Sequence, residues 1–213
     1  SGVNGIRKTT SIYQDWFQDV LFEALTQDGH QLEGVDKESL PTGTNSFFRQ
    51  LDFLVATIAN EDFRSLYSVE DVDTYAATKD SIFTRYRTEA EIWGALLVKI
   101  ARRKRMNIMV ETSGRDIGMF EYIDHFFPDS EYRKMVIHFG VNDVSNAEAS
   151  VDQRMLREMR DGQVALEHGG GVKALIGANA GGPYGSSVLR QVQADSDGVW
   201  ENIVRGEAGN VGK

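Results

Sequence analysis

Short apolar runs alternate with long stretches of helical periodicity, and this alternation limits the folds that are open to the chain. Residues 107–110 (Asn-Ile-Met-Val) and 134–139 (Lys-Met-Val-Ile-His-Phe) each lead into a polar turn, and residues 175–178 form a weaker third run. Runs of this length indicate buried strands, and helical spacers of about 20 residues between strands are typical of βαβ units. The pattern predicts an α/β fold, a three-layer sandwich in which helices flank a mainly parallel sheet.

The helical periodicity is clearest in residues 9–25, 81–103 and 151–168, where apolar side chains recur on one side of a helix. Residues 44–60 also fit a helix, and a strand over residues 54–59 is the competing interpretation. The four basic residues at 102–105 are interpreted as the end of a helix, where positive charge is favoured by the helix dipole.

The length of 213 residues predicts a single domain over residues 1–213, because no segment has the composition of a linker. Residues of about 26–43 are polar and rich in turn formers, which indicates an insertion. Glycine concentrates at the other end, with 12 of the 21 glycines in residues 162–213. We therefore expect a glycine-rich, loop-rich C-terminal region.

Composition excludes several classes of function. The net charge of −9 disfavours general binding to nucleic acid, and the chain has no apolar run of the length that crosses a bilayer. The absence of cysteine excludes disulfides, thiolate metal sites and thiol nucleophiles. We expect a cytoplasmic protein that acts on a small molecule and binds neither nucleic acid nor membrane, with a protein partner as a further option.

Residues 2–10 read Gly-Val-Asn-Gly-Ile-Arg-Lys-Thr-Thr and run directly into the first predicted helix. In loops of the pattern G-x-x-x-x-G-K-[ST], backbone N–H groups surround a phosphate, the lysine reaches the β- and γ-phosphates, and the hydroxyl binds Mg²⁺. Arg7 replaces the second glycine and either clashes with the phosphates or adds a cation for them. The residues predicted to bind nucleotide are Gly2, Asn4, Gly5, Arg7, Lys8, Thr9 and Thr10, with Thr9 also predicted to bind the metal.

Two alternatives concern this loop. A phosphate loop normally follows a buried strand, so we expect the first strand of the sheet to be missing from the chain as given. The competing interpretation is an N-terminus without a phosphate site, followed by a helix that is capped near Thr9.

Carboxylates and arginines supply candidates for the chemistry. Glu61 or Asp62 is a candidate base that takes the proton of an acceptor hydroxyl, and a solvated turn or helix cap is the competing interpretation. Glu111, at the end of a predicted strand, is placed to hold water on Mg²⁺ or to grip the acceptor. Arg154 and Arg157 recur on one face of a helix, where they could neutralise a transferring phosphoryl group or simply pair with neighbouring acids.

Taken in order, the loop at 2–10, Asn-Glu-Asp-Phe-Arg-Ser at 60–65, Val-Glu-Thr-Ser-Gly-Arg at 110–115 and the arginine helix at 154–160 resemble the zeta-toxin-like P-loop kinases. The resemblance implies a kinase that uses ATP or GTP with Mg²⁺ to phosphorylate a hydroxyl of a small acceptor, the best-known acceptor being a UDP-N-acetylamino sugar. It implies that Glu61 is the better-aligned base and Asp62 the alternative. The positions it assigns to substrate are Arg64, Glu111 and Thr112, and those it assigns to the lid are Arg154 and Arg157. The alternative function is a catalytically degenerate P-loop protein that serves as a binding or structural subunit.

Overall fold

The computed structural model describes residues 1–2, 8–27, 36–44, 46–49 and 51–207. The α-helices among them are α1 (Lys8–Ser11), α2 (Asp15–Gln27), α3 (Leu51–Ile58), α4 (Asn60–Leu66), α5 (Val72–Arg103), α6 (Gly118–Phe126), α7 (Val144–Glu167), α8 (Val172–Ala178) and α9 (Leu189–Val204). The strands are β1 (Phe47–Arg49) and β2 (Ile108–Val110), and single 3₁₀ turns cover Lys37–Ser39 and Ser186–Val188.

The two strands pair in parallel, with Phe47 opposite Ile108 and Arg49 opposite Val110. Within the described residues they are the whole sheet, and helices make up most of the regular structure. The predicted three-layer α/β sandwich with a mainly parallel sheet is therefore wrong. The strand at the end of the Asn-Ile-Met-Val run is confirmed, because β2 covers residues 108–110.

The other two apolar runs do not form strands, for different reasons. Residues 175–178 end α8, where Leu175 and Ala178 are both buried, and a spacing of three brings two side chains to one side of a helix. Residues 134–139 make backbone bonds to Ser1 at one end, from the Ser1 amine to the Ile137 carbonyl and from the Phe139 N–H to the Ser1 carbonyl. Two such bonds do not make a strand ladder.

The predicted helices are present with altered ends. Residues 9–25 divide into α1 and α2, because the Ile12 carbonyl accepts a bond of 2.9 Å from Gly43 N–H at the bend. The helix predicted over residues 44–60 is wrong at residues 47–49, which form β1, and is confirmed over residues 51–58, which form α3 in place of the competing strand. Asn60 already belongs to α4. Helix α5 ends at Arg103 as predicted but begins at Val72, where the Asp71 carboxylate caps it by accepting a bond of 2.8 Å from Thr74 N–H.

The largest core lies among α3, α4, α5, α7 and α8. Its most deeply buried large side chains are Val55, Phe63, Leu66, Tyr67, Tyr75, Met155 and Leu175. A second cluster, formed by Ile12, Phe17, Leu21 and Leu40, joins α1 and α2 to the loop before β1. None of the described helices combines the length and the apolar character needed to cross a membrane.

We predict that Gly162→Ala destabilises the fold. A Cβ atom on Gly162 of α7 would lie 2.1 Å from Cγ of Tyr67. The Tyr67 ring has little freedom to withdraw, since it stacks on Tyr75 and its hydroxyl donates to the Leu175 carbonyl. Overpacking of this kind lowers the free energy of unfolding by about 1–3 kcal/mol, which urea denaturation measures.

Gly198→Ala is the matched control, because Gly198 lies in α9 with no neighbouring atom within 4 Å of the added Cβ. It should raise the free energy of unfolding by about 0.5–1 kcal/mol, the usual gain from glycine to alanine in a helix. Equal stability of Gly162→Ala and the unsubstituted protein would contradict the predicted clash.

Candidate functional site

Lys8, Thr9 and Glu111 meet where α1 begins and β2 ends. The Lys8 side chain is only 8% exposed, and its Nζ lies 3.9 Å from Oε1 of Glu111. The Thr9 hydroxyl lies 3.1 Å from both carboxylate oxygens of Glu111, to which it donates. Three residues that were predicted from two separate motifs are therefore in direct contact.

The predicted phosphate loop is described at its two ends. Gly2 N–H donates to the Ser113 carbonyl over 3.2 Å, which places the start of the chain beside the turn that follows Glu111. Asn4, Gly5 and Arg7 lie outside the described residues. Thr10 is exposed on α1, and its carbonyl accepts a bond from the Gln14 side chain.

Asp52, the second residue of α3, joins this group, although its sequence context did not single it out. Burial raises the pKa of its carboxyl group, and the negative charge of Glu111 raises that pKa further, while the charges of Lys79, Arg154 and Lys8 oppose both effects. Asp52 is therefore within electrostatic range of the lysine that the phosphate motif predicts. The strand β1 ends two residues before α3 begins, and recognition of that strand would have marked Asp52 as an acid at a strand end.

Lys8 lies in the same buried and charged environment as Asp52, but its own charge is positive, so burial shifts its pKa in the opposite direction. Burial lowers the pKa of its ammonium group, Glu111 and Asp52 raise it, and Arg154 lowers it. We refer to Lys8, Thr9, Asp52, Glu111 and Arg154 as the charge cluster. It brings charges of both signs together with the Thr9 hydroxyl, and its charged members contribute to the pKa shifts of Lys8 and Asp52.

Of the two arginines predicted to form the lid, Arg154 belongs to the charge cluster. Its side chain is 11% exposed, Nη2 donates to the Gly182 carbonyl over 2.9 Å, and Nε lies 3.5 Å from Oε1 of Glu158. Arg157, one turn of helix away in sequence, is exposed. The two predicted lid arginines are therefore in different environments.

The predicted base candidates are engaged elsewhere. Glu61 is 77% exposed and lies 3.5 Å from Nε of Arg64, the residue that the resemblance assigned to substrate. Asp62 accepts a bond of 3.0 Å from Arg85 of α5. In the described residues these side chains form surface ion pairs of α4, whereas the carboxylates that raise the pKa of Lys8 are those of Glu111 and Asp52.

Two fully buried charges lie behind Arg154 and were not anticipated from sequence. Lys79 of α5 and Glu158 of α7 have no exposed side-chain surface, and Nζ lies 2.6 Å from Oε2. Their separation of 79 positions leaves no local signal of the pairing. Charged residues recur along both helices in the pattern that is typical of solvated faces, so the sequence does not indicate which charged residue of each helix is buried.

A cavity of about 1250 Å³ opens beside Lys8. Of the charge cluster, Lys8, Thr9 and Glu111 line one end of the cavity, and the rest of the wall combines apolar side chains such as Phe17 and Phe120 with basic ones. The basic residues of the wall are Lys99, Arg102, Arg103, Arg105, Arg133 and Lys134. Thr112, predicted to bind substrate, also lines this end, and its hydroxyl accepts a bond of 3.1 Å from Gly114 N–H. The space is sufficient for a small-molecule ligand with its anionic group at Lys8.

The residues present fit Mg²⁺ bound together with phosphate. Magnesium keeps several waters and takes one or two protein oxygens alongside the phosphates of its nucleotide, rather than a cage of carboxylates. The Thr9 hydroxyl and the Glu111 carboxylate supply such oxygens side by side. Among the described residues, no group of three or more histidine, cysteine, aspartate or glutamate side chains is suited to hold a metal by itself.

Comparison of the chain with protein-family models, curated proteins and solved structures finds no match. The resemblance to zeta-toxin-like kinases therefore depends on the motifs alone, and function is inferred from the charge cluster.

We predict that Asp52→Asn stabilises the protein at neutral pH. A raised pKa means that the folded state holds the proton at pH values where the unfolded state, with a pKa of about 3.9, has lost it. The unsubstituted protein therefore loses stability as the pH rises through this window, and the asparagine variant does not. The gain in unfolding free energy should grow with pH from about 3.9 upward before it levels off, as measured by urea denaturation across pH. A gain that is constant or decreasing with pH would contradict the predicted sign.

Proposed function

We propose that this protein is a phosphotransferase, which moves the γ-phosphoryl group of Mg-ATP or Mg-GTP to a hydroxyl group of a small acceptor. The observation that carries the proposal is the charge cluster, in which a buried lysine and an arginine lie within electrostatic range of a desolvated carboxylate and a Thr-Glu pair. Phosphoryl transfer needs this combination, because catalysis consists mainly of positioning and of neutralising charge on the transferring group.

Lys8 binds the β- and γ-phosphates in this proposal. Its ammonium group is buried and lies 3.9 Å from Glu111, and a bound polyphosphate would form direct, charge-assisted ion pairs with it. The Thr9 hydroxyl and the Glu111 carboxylate would hold Mg²⁺. When bound, the metal neutralises negative charge on the phosphate oxygens.

Asp52 acts as the base. The acceptor oxygen forms a bond to the γ-phosphorus, the bond from that phosphorus to the β–γ bridging oxygen breaks, and the acceptor proton passes to the Asp52 carboxylate. The raised pKa of Asp52 favours this transfer, because a more basic carboxylate binds the proton more strongly. The nucleoside diphosphate leaves with the electron pair of the broken bond.

Arg154 supplies a positive charge for the transferring phosphoryl group. Its guanidinium is held by the Gly182 carbonyl and lies beside Glu158, so its orientation is set before a ligand binds. Groups that are oriented in advance need little rearrangement in the transition state. A nucleotide sugar is the first acceptor to test, because the motif resemblance implies that class.

We predict that Lys8→Ala abolishes nucleotide binding. Saturating Mg-ATP or Mg-GTP should raise the melting temperature of the unsubstituted protein by roughly 5–10 °C and should leave that of Lys8→Ala unchanged. Lys173→Ala, which removes an exposed lysine of α8, is the matched control and should retain the shift. A folded protein that neither Mg-nucleotide stabilises would favour the alternative of a binding subunit without catalysis.

We also predict that Asp52→Asn lowers kcat for phosphoryl transfer by roughly 10²–10⁴-fold, the usual contribution of a general base. The assay follows labelled γ-phosphate from Mg-ATP or Mg-GTP into UDP-N-acetylglucosamine, and Asp73→Asn, at an exposed acid in the first turn of α5, serves as control. Loss of turnover in Asp62→Asn or Glu61→Gln with full turnover in Asp52→Asn would return the role of base to α4.

A further inference from the structure

Glu158 accepts hydrogen bonds from α5 and from the loop after α8 and forms an ion pair with Arg154 of its own helix, although its side chain has no contact with solvent. Oε2 accepts from Lys79 Nζ over 2.6 Å and from the Tyr75 hydroxyl over 3.0 Å. Oε1 accepts from Ala180 N–H over 3.1 Å and has Nε of Arg154 at 3.5 Å. One carboxylate therefore joins α5, α7 and the loop that follows α8.

The same group of side chains holds the loop backbone at three consecutive residues. Ala180 N–H donates to Glu158, the Gly181 carbonyl accepts from Lys79 Nζ over 2.8 Å, and the Gly182 carbonyl accepts from Arg154 Nη2 over 2.9 Å. A Cβ atom on Gly181 would lie 2.7 Å from Nη1 of Arg154, so the backbone and the guanidinium are in close contact.

The loop also reaches the candidate base. At its start, Asn179 Nδ2 lies 3.5 Å from the Asp52 carbonyl, to which it donates. At its other end, the Tyr184 hydroxyl accepts a bond of 2.6 Å from Arg115, three residues after Thr112. Residues 179–184 thus connect α3 with the turn beyond β2, and Glu158 bonds to the middle of this connection.

We infer that Glu158, together with Lys79, is a positioning residue that fixes Arg154 and the backbone of residues 180–182 beside Asp52. This inference rests on the proposed function for its catalytic consequence, and on geometry alone for the placement of the loop. Because the remaining lone pairs and protons of a buried ion pair must be satisfied, the bonds that satisfy this pair also tie it to the loop backbone. Loss of the pair would therefore release residues 180 and 181 and the contact of Glu158 with Arg154.

The test compares Glu158→Gln, Arg154→Ala and the double variant of the two. Because removal of one buried charge can prevent folding, Lys79→Met/Glu158→Gln removes both charges with similar side-chain volumes. Tyr67→Phe is the matched control: it deletes one hydrogen bond in the same core, to the Leu175 carbonyl, and leaves the Glu158 contacts in place.

Two readouts are independent of activity. Hydrogen exchange of residues 179–184 should become faster by tenfold or more in Glu158→Gln and in the Lys79→Met/Glu158→Gln variant, and should stay unchanged in Tyr67→Phe. Glu158→Gln and Arg154→Ala should each lower the free energy of unfolding. The double variant should lower it by less than the sum of the two single losses, as is usual for residues in contact. Unchanged exchange together with additive losses would overturn the inference.

The catalytic readout separates Glu158 from a purely structural residue. Both glutamate variants should lower kcat by roughly 10²-fold with little change in the KM for Mg-nucleotide, and Glu158→Gln should cause no further loss in an Arg154→Ala background. Losses in kcat that multiply between the two substitutions would overturn the inference. A protein with no phosphoryl transfer would refute the proposed function, and the exchange and unfolding measurements would still decide the role of Glu158.

Discussion

The buried ion pair between Lys79 and Glu158 is the interaction on which the arrangement of the helical core depends. Both side chains are fully removed from water, and each ion loses several kcal/mol of hydration when it is buried. That loss is offset only when every charged atom has partners, and here Tyr75, Ala180 and Gly181 supply them. The pair therefore specifies the distance between α5 and α7 and the path of the loop after α8 more tightly than apolar packing alone.

The charge cluster follows from that arrangement. Arg154 lies one turn before Glu158 on α7, so the helix that contributes the buried carboxylate also brings a guanidinium within electrostatic range of Asp52 and Lys8. Charges of opposite sign are held close together, and burial shifts the pKa of Asp52 upward and that of Lys8 downward. Opposed shifts on an acid and a cation in one place are characteristic of sites that bind and transform ligands, because solvation is given up there for later contact with a ligand.

Local patterns indicated some members of the charge cluster and left the others unmarked. Lys8 and Thr9 were recognisable because a phosphate loop is a contiguous motif, and Glu111 because an acid at the end of an apolar strand is a short-range signal. Asp52 likewise lies just after a strand, β1, but a strand of three residues is too short to interrupt the helical periodicity of residues 44–60. Glu61 and Asp62 were preferred for their adjacency, and their ion pairs with Arg64 and Arg85 depend on α4 and α5.

The fold, like the candidate site, could be predicted from the sequence only in part. Helices α5 and α7 were predictable, because apolar periodicity over many turns is a property of contiguous residues. Of the three apolar runs, the one ending at Val110 became a strand, because an apolar run becomes a strand only where another backbone satisfies its hydrogen bonds, and residues 134–139 lack such a ladder in the described chain. The sequence by itself determined the long helices α5 and α7, and it supplied the motif from which a phosphate site is proposed. Only the tertiary structure decided which carboxylate lies near Lys8 and which lysine pairs with Glu158, since burial and proximity are created by packing between segments far apart in the chain.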